Sequence, residues 1–206
     1  EPSCNSGTNG SATVTITGGT TPFDYVWSEG GCSTINSPLL TNTCNTLPAG
    51  VSCVTVTDFN GCTATTCVTI TEPTVLTSSI TLQTNVTCNG LCNGTATVAG
   101  NGGTPGYTYL WCNGDVLVTA DSLCAGTCTV TVTDTKGCTS TSTVTITEPT
   151  ALVASITNQT DVNCNGDSTG SATVTAIGGT PNYSYDWSPN GFTNDFTVAL
   201  PVESPL

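Results

Sequence analysis

Two stretches of the chain carry almost the same text 76 residues apart: SCVTVTDFNGCTATTCVTITEP at 52–73 and CTVTVTDTKGCTSTSTVTITEP at 128–149. Each reads as a β-hairpin. In the second, Val130 and Val132 alternate with Thr129, Thr131 and Thr133, a polar Asp134-Thr135-Lys136-Gly137 turn follows, and alternation resumes through Val144 and Ile146. β-branched residues at period two, interrupted by a Gly-containing turn, are the mark of a hairpin. A cysteine, Cys62 or Cys138, follows the turn glycine. Glu72-Pro73 or Glu148-Pro149 then stops the strand, because proline offers no ladder donor. A chain that repeats its hairpin, its turn cysteine and its stop is an array of one module.

The front of the module repeats as well. Cys4, Cys88 and Cys164 open equivalent segments, 84 and then 76 residues apart, and Trp27, Trp111 and Trp187 keep the same spacings. The difference is an eight-residue insertion after Trp27. Each segment reads as a strand (GSATVTI, GTATVAG, GSATVTA), a Gly-Gly-Thr turn and a second strand of alternating rings. Those rings are Phe23, Tyr25 and Trp27, then Tyr107, Tyr109 and Trp111, then Tyr183, Tyr185 and Trp187. Residues two apart share a strand face, so each trio lies on one side. We read the trios as core; the competing reading is a ring-lined ligand cleft. The linkers after Pro73 and Pro149 supply a further strand, with Leu76 and Ile80 or Leu152 and Ile156. The expected architecture is all-β: tandem Ig-like β-sandwich modules stapled by disulfides, with boundaries at 1–73, 74–149 and 150–206. The first module is expected to lack its leading strand, because Glu1-Pro2 stands only three residues before Cys4. The third is expected to be incomplete, because no hairpin with a turn cysteine follows Leu200-Pro201.

Composition narrows the function. The chain has 13 cysteines, one basic residue (Lys136), no histidine and a net charge of −13. Nucleic acid is not an expected partner, since phosphate neutralisation needs Lys and Arg. No run of about 18 apolar residues marks a membrane span. Cysteine without histidine argues for disulfides in an oxidising compartment rather than zinc. The start at Glu1, with neither Met nor a signal segment, reads as a mature piece or a segment.

The pattern C-N-G-x-x-x-G-[ST]-A-T-V…G-G-T-P-x-Y-x-Y-x-W…L-P-A-G…V-T-V-T-D-x-x-G-C-T…V-T-I-T-E-P resembles the SprB-type repeat of very large surface adhesins in gliding bacteria. It is also similar to PKD-like domains of the Ig-like class. The resemblance implies an extracellular tandem β-domain stalk or adhesin, exported by the type IX system, with no catalytic residues. The chain departs from the pattern in its extra cysteines, Cys32, Cys44, Cys53, Cys67, Cys92, Cys112, Cys124 and Cys128.

Pairing Thr57 with Thr63 puts Cys53 opposite Cys67 across the first hairpin, within disulfide reach. Cys62 and Cys138 have the parity of the valines and are expected to point inward, with the module-opening Cys4 and Cys88 as their partners. Cys32–Cys44 and Cys112–Cys124, both 12 residues apart, and then Cys92–Cys128 use the rest. Cys164 is left unpaired or for another chain.

The carboxylates are scattered, and without His or Arg no nucleophile, base and orienting group can be assembled, so no enzyme is expected. Asp58 and Asp134 open turns, where an Asp side chain holds backbone amides. No cofactor is expected. Calcium at the module junctions is the one metal considered, through Glu72, Glu148 and nearby carbonyls, although no DxDxDG loop is present. The outer hairpin faces are threonine ladders with good β propensity. Glycosylation candidates are the sequons at Asn9, Asn85, Asn93, Asn158 and Asn182, and Ser122 and Ser168 in Asp-Ser pairs. The function read from all this is a non-enzymatic structural or adhesive repeat protein of a bacterial surface, in a filament or sheath. Its expected partners are copies of itself or adjacent repeats, surface glycans and other cell-surface proteins. The alternative is a carbohydrate-binding accessory region of a secreted hydrolase.

Overall fold

The computed structural model describes residues 1–161, 163–164, 170–185 and 187, and every regular element among them is a strand. The chain divides into two compact units that do not follow the repeats. One gathers Glu1–Thr81, Thr97–Thr119 and Thr129–Thr143; the other gathers Leu82–Ala96, Ala120–Cys128 and Val144–Leu206. Each unit therefore contains one junction between successive repeats, at Pro73 in the first and Pro149 in the second.

In the first unit, the opening repeat forms β1 (Gly10–Thr15), β2 (Phe23–Trp27), β3 (Thr34–Ser37), β4 (Thr41–Leu47), β5 (Gly50–Thr57) and β6 (Thr63–Ile70). β1 pairs antiparallel with β4, and the other four make a sheet in the order β3-β2-β5-β6. The ring strand works as its alternation predicts: Phe23, Tyr25 and Trp27 point into the space between the sheets, with Asp24 and Val26 on the other face. Val54 and Val56 from β5, Leu47 and Cys44 from β4 and Ile70 from β6 complete that core. Ala12, Val14 and Ile16 of the β1 segment pack against it only half-buried. Tyr25 donates its hydroxyl to the Leu39 carbonyl at 2.6 Å, and burial pushes its pKa up. The Trp27 indole N–H donates to Asn42 Oδ1 at 2.8 Å. Strand β3 lies in the stretch after Trp27 that carries the eight-residue insertion. It is held partly by a backbone bond from Asn36 N to Asp24 Oδ1 at 2.8 Å, which no periodicity announces.

The second repeat contributes β7 (Thr77–Thr84), β8 (Gly94–Asn101), β9 (Thr108–Trp111), β10 (Thr119–Leu123), β11 (Gly126–Thr133) and β12 (Thr139–Ile146). Its sheets run β10-β8-β7 and β12-β11-β9. In the first unit Val130 faces Trp111 and Val132 faces Tyr109 across β11 and β9, with Trp111, Val130 and Val132 buried. The Trp111 indole N–H donates to the Leu117 carbonyl at 2.9 Å. Tyr107 and Tyr109 are half-buried, and the Tyr107 hydroxyl donates to Gly102 O at 2.7 Å.

In the second unit Val86, Leu123, Val144 and Ile146 are buried. A side chain at Gly94 would sit 2.8 Å from Ile146 Cγ2 and 3.0 Å from Leu123 O, so only glycine lets β8 begin there. From the third repeat come β13 (Val153–Thr160) and β14 (Ser171–Ile177), paired antiparallel with an irregularity between Ile156 and Asn158. Tyr183, Tyr185 and Trp187 are half-buried, and Ser168 lies outside the described residues.

Ser52, which stands where the second hairpin has Cys128, is buried with its Oγ unsatisfied among the described residues. An unpaired buried hydroxyl costs stability. Ser52→Ala is therefore expected to raise unfolding stability by about 1 kcal/mol; a drop in the urea midpoint would contradict it.

Candidate functional site: the turn cap and the repeat junction

The hairpin turn is built on one carboxylate. In the second repeat Asp134 accepts the backbone N–H groups of Lys136 and Cys138, both at 2.9 Å, and of Thr104 from the Gly-Gly-Thr turn at 2.8 Å. The first repeat copies this: Asp58 takes Asn60 N at 3.0 Å, Cys62 N at 2.8 Å and Thr20 N at 3.1 Å. Several N–H donors favour the ionised form. Both carboxyls are held below the usual range, Asp58 chiefly by the Cys62 N–H and Asp134 chiefly by the Thr104 N–H, with desolvation opposing.

The cap ties the hairpin to a Gly-Gly pair, and that pair receives the incoming linker. Gly103 N donates to Thr74 O at 2.9 Å. A Cβ on Gly102, at φ +78°, would lie 2.0 Å from the Val75 carbonyl oxygen. On the other side of this junction Asn5 Nδ2 donates to Pro73 O at 3.1 Å, and Ser6 N donates to the Glu72 carboxylate. The second unit repeats both halves. Asn89 Nδ2 donates to Pro149 O at 3.2 Å, Gly90 N to Glu148 Oε2 at 2.7 Å, and Gly179 N to Thr150 O at 2.7 Å. Glu72 and Glu148, considered as calcium ligands, are thus occupied by backbone amides. No three His, Cys, Asp or Glu side chains gather to hold a metal among the described residues.

The cysteines follow this geometry, not the parity of their strands. Cys53 and Cys67 stand opposite in the β5–β6 register and are bonded, as are Cys32 and Cys44. Cys4, however, bonds Cys138 across the junction, and Cys62 is an exposed free thiol. The expected Cys4–Cys62 and Cys88–Cys138 pairs therefore do not form. The reason is height. Cys4 sits in the loop beside Glu72 and Pro73, whereas Cys62 follows the turn at the far end of the eight-residue β5–β6 hairpin. At about 3.3 Å per residue that separation is roughly 25 Å, several times a disulfide's Cα span. Cys92 bonds Cys124, which excludes the expected Cys112–Cys124 and Cys92–Cys128 pairs; Cys112 and Cys128 are disulfide-bonded too. Cys88 and Cys164 are exposed free thiols.

The sequon asparagines have structural work of their own. Asn9 brackets the Cys4 loop through Ser3 N and Ser3 Oγ, both at 2.9 Å, and Asn93 does the same through Thr87. Asn85 accepts Thr147 N at 3.1 Å. Asn158 and Asn182 are exposed, and Ser122 sits at φ +55° with its hydroxyl on Asp121. One feature that sequence reasoning missed is a cleft of about 460 Å³ between β1 and β6, lined by Val14, Ile16, Phe23, Val56 and Cys62.

These features define a tandem array of all-β modules joined through backbone clasps and, at Pro73, a disulfide. The chain belongs to the SprB repeat family: the family's model matches residues 1–31, 80–116 and 156–192, about half of the sequence. SprB repeats are cell-surface adhesin modules. No curated protein matches the chain. Among solved structures it is similar to a C-terminal 282-residue fragment of intimin in complex with the intimin-binding domain of the translocated intimin receptor. That likeness has 18% identity and a TM-score of 0.36, over 70% of this chain and 59% of the fragment. It is also similar to an amphioxus IgVJ-C2 molecule, with 14% identity and a TM-score of 0.26, over 68% of this chain and 98% of that one.

Two expectations follow. A depressed folded pKa means that the unfolded chain takes up a proton first, so the caps stabilise above the ordinary aspartate value, about 3.9. Thermal stability is expected to hold down to about pH 4 and to fall below it as the folded carboxylates protonate; Asp134→Asn should flatten that acid limb, and an unchanged limb would disprove the assignment. Cys138→Ser is expected to cost about 2–5 kcal/mol and Cys62→Ser less than about 0.5 kcal/mol, compared by denaturant unfolding under non-reducing conditions.

Proposed function

We propose that the chain is a non-enzymatic segment of an extracellular bacterial adhesin, a stalk of SprB modules that carries binding surfaces away from the cell. The observation behind this reading is the Cys4–Cys138 bond, which covalently joins one module to the next. Consistent with it, the turn carboxylates are engaged by backbone amides. Trp27 and Trp111, two of the rings that a carbohydrate-binding reading would need on the surface, are buried with their N–H groups bonded inside the protein, while Tyr107 and Tyr109 are half-buried. Disulfides throughout the chain suit an extracellular location. Membership in a filament or sheath, and self-association or surface glycans and proteins as partners, belong to the same proposal.

The test uses the purified chain on glycan arrays and on surfaces coated with cell-envelope material, with electron microscopy of the native surface alongside. Surface binding or ordered polymers are expected. Tryptophan emission should be blue-shifted, resistant to quencher and unmoved by oligosaccharide. Hydrolysis of a glycan on the array, or the absence of both surface binding and ordered polymers, would overturn the proposal.

A further inference from the structure

The receiving parts used at the Pro73 junction recur in the first repeat. In the second repeat, β7 adds to β8 as the leading strand: Leu76 is buried, and Ser78 Oγ sits 3.1 Å from Ser140 Oγ and 2.8 Å from Ser142 Oγ of β12. Its entry passes the Gly102-Gly103 pair, and the module that supplies it is locked by Cys4 to Cys138. Gly178-Gly179 clasps the next linker in the same way: a Cβ on Gly178 would lie 2.1 Å from Ala151 O.

The first repeat has all the receiving parts. β1 pairs with β4 alone, and the β1–β6 cleft lies beside it. Val68 of β6 is 38% exposed, where its counterpart Val144 is 3% exposed. Gly18, the counterpart of Gly102 and Gly178, holds φ +100° with nothing within 4 Å of its Cβ direction. A left-handed glycine is required where a backbone must come close, and here no backbone does. Cys62, the counterpart of the bonded Cys138, is a free thiol lining the same cleft.

We infer that the β1–β6 cleft, the Gly18-Gly19 pair and Cys62 form an acceptor for the end of another SprB-type repeat. That end is an extended segment after a Glu-Pro, with apolar residues at the places of Leu76 and Ile80. It adds to the free edge of β1, as peptides add to exposed sheet edges. The donor's module-opening cysteine then bonds Cys62. In that step two thiols lose two protons and two electrons to a disulfide oxidant, which leaves as the dithiol. The free thiols Cys88 and Cys164 are module-opening cysteines, so they are donor groups of the same kind. The inference concerns how modules join and holds whatever ligand the array binds.

Two measurements test it. The probe for the first is a synthetic peptide of residues 71–84, added to the 206-residue chain. Saturable binding is expected, with slowed hydrogen exchange at Gly10–Thr15 and slowed alkylation of Cys62. A peptide carrying Leu76→Asp and Ile80→Asp should not bind. Gly18→Ala in the chain should weaken binding about tenfold or more, read well below the variant's melting temperature, which the strain of a side chain at φ +100° lowers. Absence of binding, or equal binding of the Asp peptide, would falsify strand addition. The second measurement is non-reducing peptide mapping of the native protein under thiol-blocking conditions. Cys62 joined to a module-opening cysteine peptide supports the lock. An unchanged mass on reduction places the donor in the same polypeptide, and a halved mass places it in a second one. Cys62 joined to Cys4, or recovered as a blocked free thiol, overturns the lock.

Discussion

The carboxylate at the hairpin turn is the interaction on which the other features of the module rest. Asp134 is nearly closed off from solvent, and a Cβ on Gly103 would come within 2.6 Å of its Oδ2. By drawing in Thr104 N and Cys138 N together, it fixes the Gly-Gly-Thr turn against the hairpin. That sets where the next linker is received and where Cys138 presents its sulfur. A core made mostly of valine and a few rings contributes less burial per residue than one of leucine and phenylalanine. Such a module relies on fixed turns and covered edges to a greater degree than a thicker one.

The all-β class and the hairpin register were legible in the sequence because they depend on a local period of two. Cys53–Cys67 follows from counting outward from one turn. The same parity assigns Cys62 and Cys138 a strand face yet cannot place them along the sandwich relative to Cys4 and Cys88. Only the antiparallel run from Asp58 to Glu72 shows that Cys4 and Cys62 occupy opposite ends, and that is a three-dimensional fact. The repeated glycine pairs were read as turns. Their further role is carried by carbonyl oxygens of the linker that opens the same repeat, far upstream in the chain. The division of the chain into compact units was equally hidden, since Pro73 and Pro149 read as breaks but lie inside units.

The hydroxyl ladders add a second layer of order. Thr13 and Thr43, Thr55 and Thr65, and Thr97 and Thr119 each meet Oγ to Oγ at 2.8–2.9 Å across neighbouring strands. Each pair lets a β-branched methyl cover its sheet while the hydroxyl finds a partner beside it. This accounts for threonine at positions that a solvated strand face would otherwise give to lysine or glutamate, and for a surface with so little positive charge.

An array of surface repeats that works as the proposed stalk is pulled from its ends, and the Cys4–Cys138 bond decides what such a pull can unravel. The loop it closes spans 134 residues, including the whole first hairpin and the Pro73 linker. Stretched out at about 3.4 Å per residue, that loop would lengthen the chain by roughly 450 Å. With the bond in place, tension applied outside the loop passes through two sulfur atoms and bypasses those strands. The length stays in reserve, released by reduction and not by force.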